Sequence, residues 1–231
     1  RKLFFIGDSH TESISQSADF ISKKINNPIF IHSRPGTIFP VVSEYWIKKG
    51  GGRNNLIQSE AENYLLTNIR RNDIVIITLR LPYYFGRDGF SSEEEEFTYI
   101  NNFGDEVSRK DFFEEWKKKV LEFASNLEEK NAKLIISSPT PEWENLNSPL
   151  QRSSKIDKIL FDKEYKSIIN FLERIEKQKK NIYILDSLSA LCPDAICRYA
   201  VKDKILYRDK DHLSNYAARN IIGPKLFELI N

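Results

Sequence analysis

The chain has 231 residues, 40% of them hydrophobic and 29% charged, and its formal net charge is only +2. That length and balance fit one folded domain with a substantial core and exclude a disordered polymer. The near-neutral charge leaves no electrostatic footprint for nucleic acid, and no apolar run approaches the roughly 20 residues that a membrane helix needs.

In chain order, Leu3-Phe4-Phe5-Ile6 reads as a buried strand that runs straight into Gly7-Asp8-Ser9-His10. That turn sets a serine at the start of a helix whose apolar face carries Ile14, Ala18, Ile21 and Ile25. Further strands are predicted over 29–32, 73–79, 133–137 and 181–185. All are rich in Ile, Val, Leu or Phe without alternation, as expected of parallel strands covered on both faces. Helical patterns lie between them. One carries Phe112, Phe113, Trp116, Val120 and Leu127 with Ser108 as cap, the next Tyr165, Ile168, Ile169, Leu172 and Ile175. Ile221, Ile222, Leu226 and Leu229 mark the last. Strands alternating with helices predict an α/β domain with a parallel sheet, and no repeat or low-complexity linker divides the 231 residues.

Two long connections follow the third and fourth strands, over 82–109 and 139–162. The first holds Tyr83-Tyr84-Phe85 and the acidic run 93–96, which reads as a solvated face. Ligands of open parallel sheets bind beyond the carboxyl ends of the strands. Ser9, His32, Arg80 and Pro139 all fall at such ends.

Near the finish, Asp209-Lys210-Asp211-His212-Leu213-Ser214 precedes the last helix. If the fold joins the two ends, Ser9, His212 and Asp209 supply a nucleophile, its base and the orienter of that base. Asp211 competes with Asp209. The residue just before a histidine usually points away on a turn, which favours Asp209 and leaves Asp211 as a solvated or capping acid. His10 would point elsewhere on its helix. His32 has no neighbouring aspartate and reads as a structural or substrate contact. The Ser9 backbone N–H, at the positive end of the first helix, is placed to stabilise an oxyanion. Gly36 in Ser33-Arg34-Pro35-Gly36-Thr37 is a candidate second donor or an ordinary Pro-Gly turn. Asp8 reads as structural. No metal or cofactor site is called, since two cysteines cannot make a structural zinc site.

Cys192 and Cys197 enclose a four-residue loop around Pro193-Asp194. They suit a local disulfide in a periplasmic or extracellular domain, with free thiols the alternative. The chain opens at Arg1 and contains no methionine, which reads as a processed or excised piece.

Gly7-Asp8-Ser9, Gly36 and Asp209-Lys210-Asp211-His212 resemble the conserved blocks of the SGNH hydrolase superfamily. The resemblance spans nearly the whole chain and implies a flavodoxin-like three-layer α/β/α fold with a five-stranded parallel sheet. It also implies a Ser9 acyl-enzyme assisted by His212 and Asp209. The family's Gly-x-Asn-Asp block is absent: the place reads Thr78-Leu79-Arg80-Leu81-Pro82, so Arg80 either replaces the oxyanion amide or is a salt-bridged strand-end residue. That departure, the Asp-x-Asp-His-Leu-Ser ending and the cysteine loop resemble a narrower group. Its members are the C-terminal periplasmic SGNH domains of bacterial membrane acyltransferases that O-acetylate surface polysaccharides.

This resemblance implies transfer of an acyl group, supplied by a fused inner-membrane acyltransferase domain, to a polysaccharide hydroxyl without a cofactor. Tyr83, Tyr84, Phe85 and Trp143 are candidate sugar-stacking residues or loop packing. The rival readings are a carbohydrate or lipid esterase with the same triad, and a non-catalytic glycan-binding module.

Overall fold

The computed structural model describes residues 1–42, 45–47, 52–88, 99–101, 103–143 and 154–231; the acidic run 93–96 lies outside these. Five parallel strands form the central sheet: β1 (Leu3–Gly7), β2 (Ile29–Ser33), β3 (Ile74–Thr78), β4 (Lys133–Ser137) and β5 (Ile182–Leu185). Their spatial order is β2-β1-β3-β4-β5, with every neighbouring pair parallel. This is the flavodoxin-like order, in which the chain reverses direction across the sheet at β1 and β3. The register pairs Gly7 with Ser33 on one side and with Thr78 on the other, so three loops leave the sheet at one level.

Helices cover both faces because the strand pleat sends alternate side chains to opposite layers. Phe4, Ile6, Val75, Ile77, Leu134 and Ile136 face one core, and Leu3, Phe5, Ile74, Ile76 and Ile135 the other. In chain order the helices are α1 (Ser9–Ser13), α2 (Ser15–Ser22), α3 (Gly52–Asn68), α4 (Leu81–Phe85), α5 (Arg109–Glu129), α6 (Lys158–Glu164), α7 (Lys166–Gln178), α8 (Ser187–Leu191), α9 (Asn215–Ala217) and α10 (Gly223–Ile230). A π turn, Ala218–Ile222, joins the last two. The first core receives Trp116, Val120 and Leu127 of α5 and Ile168, Leu172 and Ile175 of α7; the second receives Ala18 and Ile21 of α2 and Leu226 and Ile230 of α10. Each of the Val, Leu and Ile side chains among these contributes about 1.5–3 kcal/mol on burial. Ser108 caps α5 as its sequence predicts, its hydroxyl accepting from the Asp111 N–H at 3.1 Å.

Two expectations are corrected, and one helix was not foreseen. The second strand is not covered on both faces: β2 is an edge strand, and Phe30 and Ile31 are exposed. The first helix does not run unbroken to Ile25; it splits at Ile14 and α2 ends at Ser22. The sequence pattern also gave no notice of α3, whose apolar residues do not gather into one stripe: Leu65 is buried while Leu56 is exposed. Among the described residues, no helix is long and apolar enough to cross a membrane.

Cys192 and Cys197 form a disulfide with their Cα atoms 4.0 Å apart. It ties the end of α8 to the short strand Ile196–Arg198, which pairs antiparallel with Lys155–Asp157. For so small a loop the chain-entropy model gives about 2 kcal/mol. The Cys192→Ala/Cys197→Ala variant is therefore expected to melt roughly 4–8 °C lower, at about 2–4 °C per kcal/mol for a chain this size, by circular dichroism.

Candidate active site

The opening turn is shaped by a close approach of backbones. A Cβ on Gly7 would collide with the Thr78 carbonyl and the Thr11 hydroxyl, and that hydroxyl donates to the same carbonyl at 2.9 Å. Glycine is the residue that lets β1 end against β3 here. Asp8 follows, buried, as the cap of α1: its Oδ1 accepts from the His10 N–H at 2.8 Å. Its Oδ2 accepts from the Arg80 N–H at 2.9 Å and lies 3.0 Å from the Tyr84 hydroxyl. One carboxylate thus fixes the Ser9 turn to the loop after β3.

The closing turn is built by Asp209. Its Oδ1 accepts from the backbone N–H of Asp211 at 3.1 Å and of His212 at 2.7 Å, an aspartate turn of the usual kind. Ser214 then caps α9, accepting from the Ala217 N–H at 3.2 Å. Between these two anchors the His212 ring is held with Nε2 2.8 Å from Ser9 Oγ. Its Nδ1 lies 2.9 and 3.0 Å from the two Asp209 oxygens. The structure therefore brings Ser9, His212 and Asp209 together.

It also brings in Asp211, against expectation. Asp211 is neither solvated nor a cap: it is 4% exposed, and its Oδ1 lies 3.1 Å from His212 Nδ1. The reason is the charge behind it, since Arg80 Nε sits 2.8 Å from its Oδ2. Asp209 is much more open, its side chain 45% exposed. The His10 ring, set aside by sequence reasoning, packs 4.9 Å from the His212 ring, with its Nε2 3.8 Å from Asp211 Oδ2. Burial would raise the Asp211 carboxyl, but the His10 and His212 rings and Arg80 outweigh it and hold that carboxyl far below the usual range. Asp211 in turn, with a smaller contribution from Asp209, raises His212 above the ordinary histidine value of 6.5 despite partial burial.

Arg80 is salt-bridged to buried carboxylates, the second of the two readings its sequence place allows. Besides Asp211, its Nε donates to Glu142 Oε1 at 2.9 Å and its Nη2 to Glu142 Oε2 at 2.6 Å. Glu142 is buried, and although burial would raise its carboxyl, Arg80 and Arg87 hold it below its usual value. Neither Glu142 nor Arg87 was singled out from sequence; both sit on loops with no local motif. Gly36 takes a left-handed φ of 70° after Pro35, and Thr37 N–H closes the turn onto the Arg34 carbonyl at 3.3 Å. A type II turn asks for glycine there.

The other substrate candidates divide. Tyr83 stays beside the site, with the Arg80 guanidinium 5.0 Å over its ring. His32 is turned to α3, its Nε2 3.1 Å from Gln58 Oε1, while its neighbour Ser33 donates to the Asp8 carbonyl at 2.7 Å. Trp143 is corrected: it is buried and packs edge-on against Tyr199 and Tyr207, each 5.6 Å away, with its backbone N–H donating to the Lys210 carbonyl at 2.7 Å. It supports the closing turn from beneath. Tyr84 is likewise buried, and Phe85 is partly buried against Phe113 and Trp116. His10, Asp211 and His212 offer three ligand atoms within 4.8 Å of one another, but Arg80 places a fixed positive charge on the same carboxylate, which opposes a divalent cation.

The family model of the SGNH domain (fused to AT3 domains) matches residues 1–224. Among solved structures, the periplasmic domain of a lipopolysaccharide acetyltransferase from Salmonella ser. Paratyphi A superposes with a TM-score of 0.59 at 15% identity, covering 97% of this chain and 83% of that one. A candidate SGNH hydrolase from Slackia heliotrinireducens gives 0.55 at 11% identity, covering 100% and 98%. At such identities the likeness carries the fold alone. No curated protein sequence matches the chain.

Two outcomes follow from the geometry. Because an adjacent anion favours the imidazolium, His212 should hold its proton to higher pH than a free histidine. Asp211→Asn should lower its titration midpoint, read from ring signals by NMR. Trp143→Ala should cost about 3–5 kcal/mol in denaturant unfolding, as a buried aromatic does, whereas a sugar-stacking residue would leave stability nearly untouched.

Proposed function

The chain belongs to the family of SGNH domains fused to AT3 domains, and on that premise we propose that it is a serine acyltransferase acting on a glycan hydroxyl. The observation that carries the reading is the unbroken line from Ser9 Oγ through the His212 ring to Asp209. Its spacing suits general-base activation of a serine.

In the first half-reaction Ser9 Oγ attacks the acyl carbonyl carbon while its proton passes to His212 Nε2. The C=O π electrons move onto oxygen, which the backbone N–H groups of Ser9 and Gly36 stabilise. Collapse of the tetrahedral intermediate breaks the bond to the donor's leaving group, which takes the proton from His212. The acyl-enzyme ester remains on Ser9. In the second half a sugar hydroxyl gives its proton to His212, attacks the same carbonyl, and expels Ser9 Oγ, which recovers that proton. Asp209 and Asp211 stabilise the transient imidazolium in both halves. Loss of one oxyanion donor costs about 3–4 kcal/mol in comparable serine enzymes, so the absent family asparagine leaves the backbone donors with most of that task.

The family's fusion to AT3 domains supports a parent protein in which a membrane domain supplies the acyl group, probed here as acetyl. It also supports placing residues 1–231 as a single domain on the periplasmic side of the inner membrane. The likeness to a periplasmic lipopolysaccharide acetyltransferase domain is consistent with a surface polysaccharide as acceptor. Hydrolysis is the second reading, favoured by the partly exposed His212, since water could take the place of the sugar at the acyl-enzyme.

The test is turnover of an acetyl ester with and without bacterial polysaccharide fractions. The acyltransferase reading predicts faster turnover and a new ester on the glycan, both lost in Ser9→Ala with a fall of at least about a thousandfold. Turnover unaffected by any glycan would favour the esterase. Wild-type protein that neither turns over nor labels with an active-serine phosphonate would favour a binding module.

A further inference from the structure

A residue that serves neither the nucleophile nor the base directly nonetheless touches both turns. The Arg80 N–H donates to Asp8 Oδ2 at 2.9 Å, and Asp8 caps the helix that begins with Ser9. The guanidinium of the same residue reaches Asp211, with Nε 2.8 Å from Oδ2, and the other oxygen of Asp211 lies 3.1 Å from His212 Nδ1. Backbone and side chain of one arginine therefore span the gap between the opening and closing turns.

The guanidinium is itself fixed from behind. Glu142 receives Arg80 through both oxygens, and its Oε2 also takes Arg87 Nη2 at 2.6 Å. Arg87 Nη1 continues to Glu164 Oε1 at 3.2 Å. Along the line His212, Asp211, Arg80, Glu142, Arg87, Glu164, acids and bases alternate, and Asp211, Glu142 and Glu164 are all buried. A buried carboxylate stays in place and ionised when paired and hydrogen-bonded, and is strongly destabilised when one partner is removed. The short contact on Asp211 Oδ2 is Arg80's, since His10 Nε2 stands 3.8 Å away, beyond hydrogen-bond reach.

We propose that Arg80 is a positioning residue for His212, acting through Asp211, with Glu142 and Arg87 bracing it, so that His212 Nδ1 is oriented by two carboxylates rather than one. This rests on the acyl-transfer reading for its effect on rate. A plain structural ion pair would contribute to stability without passing through Asp211, whereas positioning must. Outer partners that orient metal-bound histidines change affinity or activity 10–100-fold when removed, and the same scale is expected for the partner behind Asp211.

The experiment is a double-mutant cycle on the domain with an acetyl ester: Arg80→Gln, Asp211→Asn and both together, with Ser9→Ala as control. The expected result is a 10–100-fold fall in kcat for Arg80→Gln with KM within about twofold, and little further fall when it is added to Asp211→Asn. The His212 ring shifts in NMR should move in each single variant and coincide in Asp211→Asn and the double. Equal falls of kcat in both backgrounds, or unmoved ring shifts in Arg80→Gln, would overturn the proposal. Should Arg80→Gln fail to fold, Glu142→Gln replaces it, with a smaller fall that must also vanish beside Asp211→Asn. Activity surviving in Ser9→Ala would sink the acyl-enzyme reading, while the ring shifts still decide the positioning role.

Discussion

The structure turns on one hydrogen bond, the 2.8 Å contact between Ser9 Oγ and His212 Nε2, made between residues 203 apart in sequence. A contact that distant exists because rigid elements deliver its two halves. Gly7 is locked between Ser33 and Thr78 in the sheet, so the turn after β1 has little freedom. His212 stands between an aspartate turn and a capped helix, so its ring is aimed before any substrate arrives. Preorganisation of this sort is what lets a weak nucleophile be activated at neutral pH.

Charge carries the same design inward. Removing one member of a buried ion pair typically costs about 3–5 kcal/mol, while a well-packed apolar replacement of the whole set is often no worse. A line of six alternating groups therefore makes poor sense as a device for stability alone. It makes better sense where orientation counts, and its first member is the histidine that faces Ser9. The Asp209 and Asp211 carboxylates differ in kind: one is open and shapes the local backbone, the other is enclosed and tied to Arg80. Both carboxylates lie within 3.1 Å of His212 Nδ1, and Asp209 builds the turn as well.

Much of this was legible beforehand, and the reasons for the exceptions are physical. The five strands announce themselves because parallel strands need apolar side chains on both faces, and their observed bounds differ by about a residue from the predicted ones. Ser9, His212 and Asp209 could be put forward as candidates because each end of the chain carries a short local motif. What failed depends on distant partners. Asp211 turns inward because Arg80, 131 positions earlier by residue number, supplies the opposing charge. Trp143 looked like a loop aromatic, yet Tyr199 and Tyr207 bury it from more than 50 positions away. The exposure of Phe30 and Ile31 follows from the edge place of β2, a property of sheet order that no single run of residues encodes.

Acyl transfer and ester hydrolysis both require that Ser9 itself carry the acyl group. Rapid quenching of the wild-type domain with an acetyl ester, followed by peptide mass analysis, measures this directly. The account predicts the mass of one acetyl group on the peptide holding Ser9, formed in the wild type and scarcely at all when His212 is replaced by alanine. An active wild-type enzyme whose Ser9 peptide stays unmodified under conditions that trap the intermediate, or an acetyl group found on another residue, would contradict it.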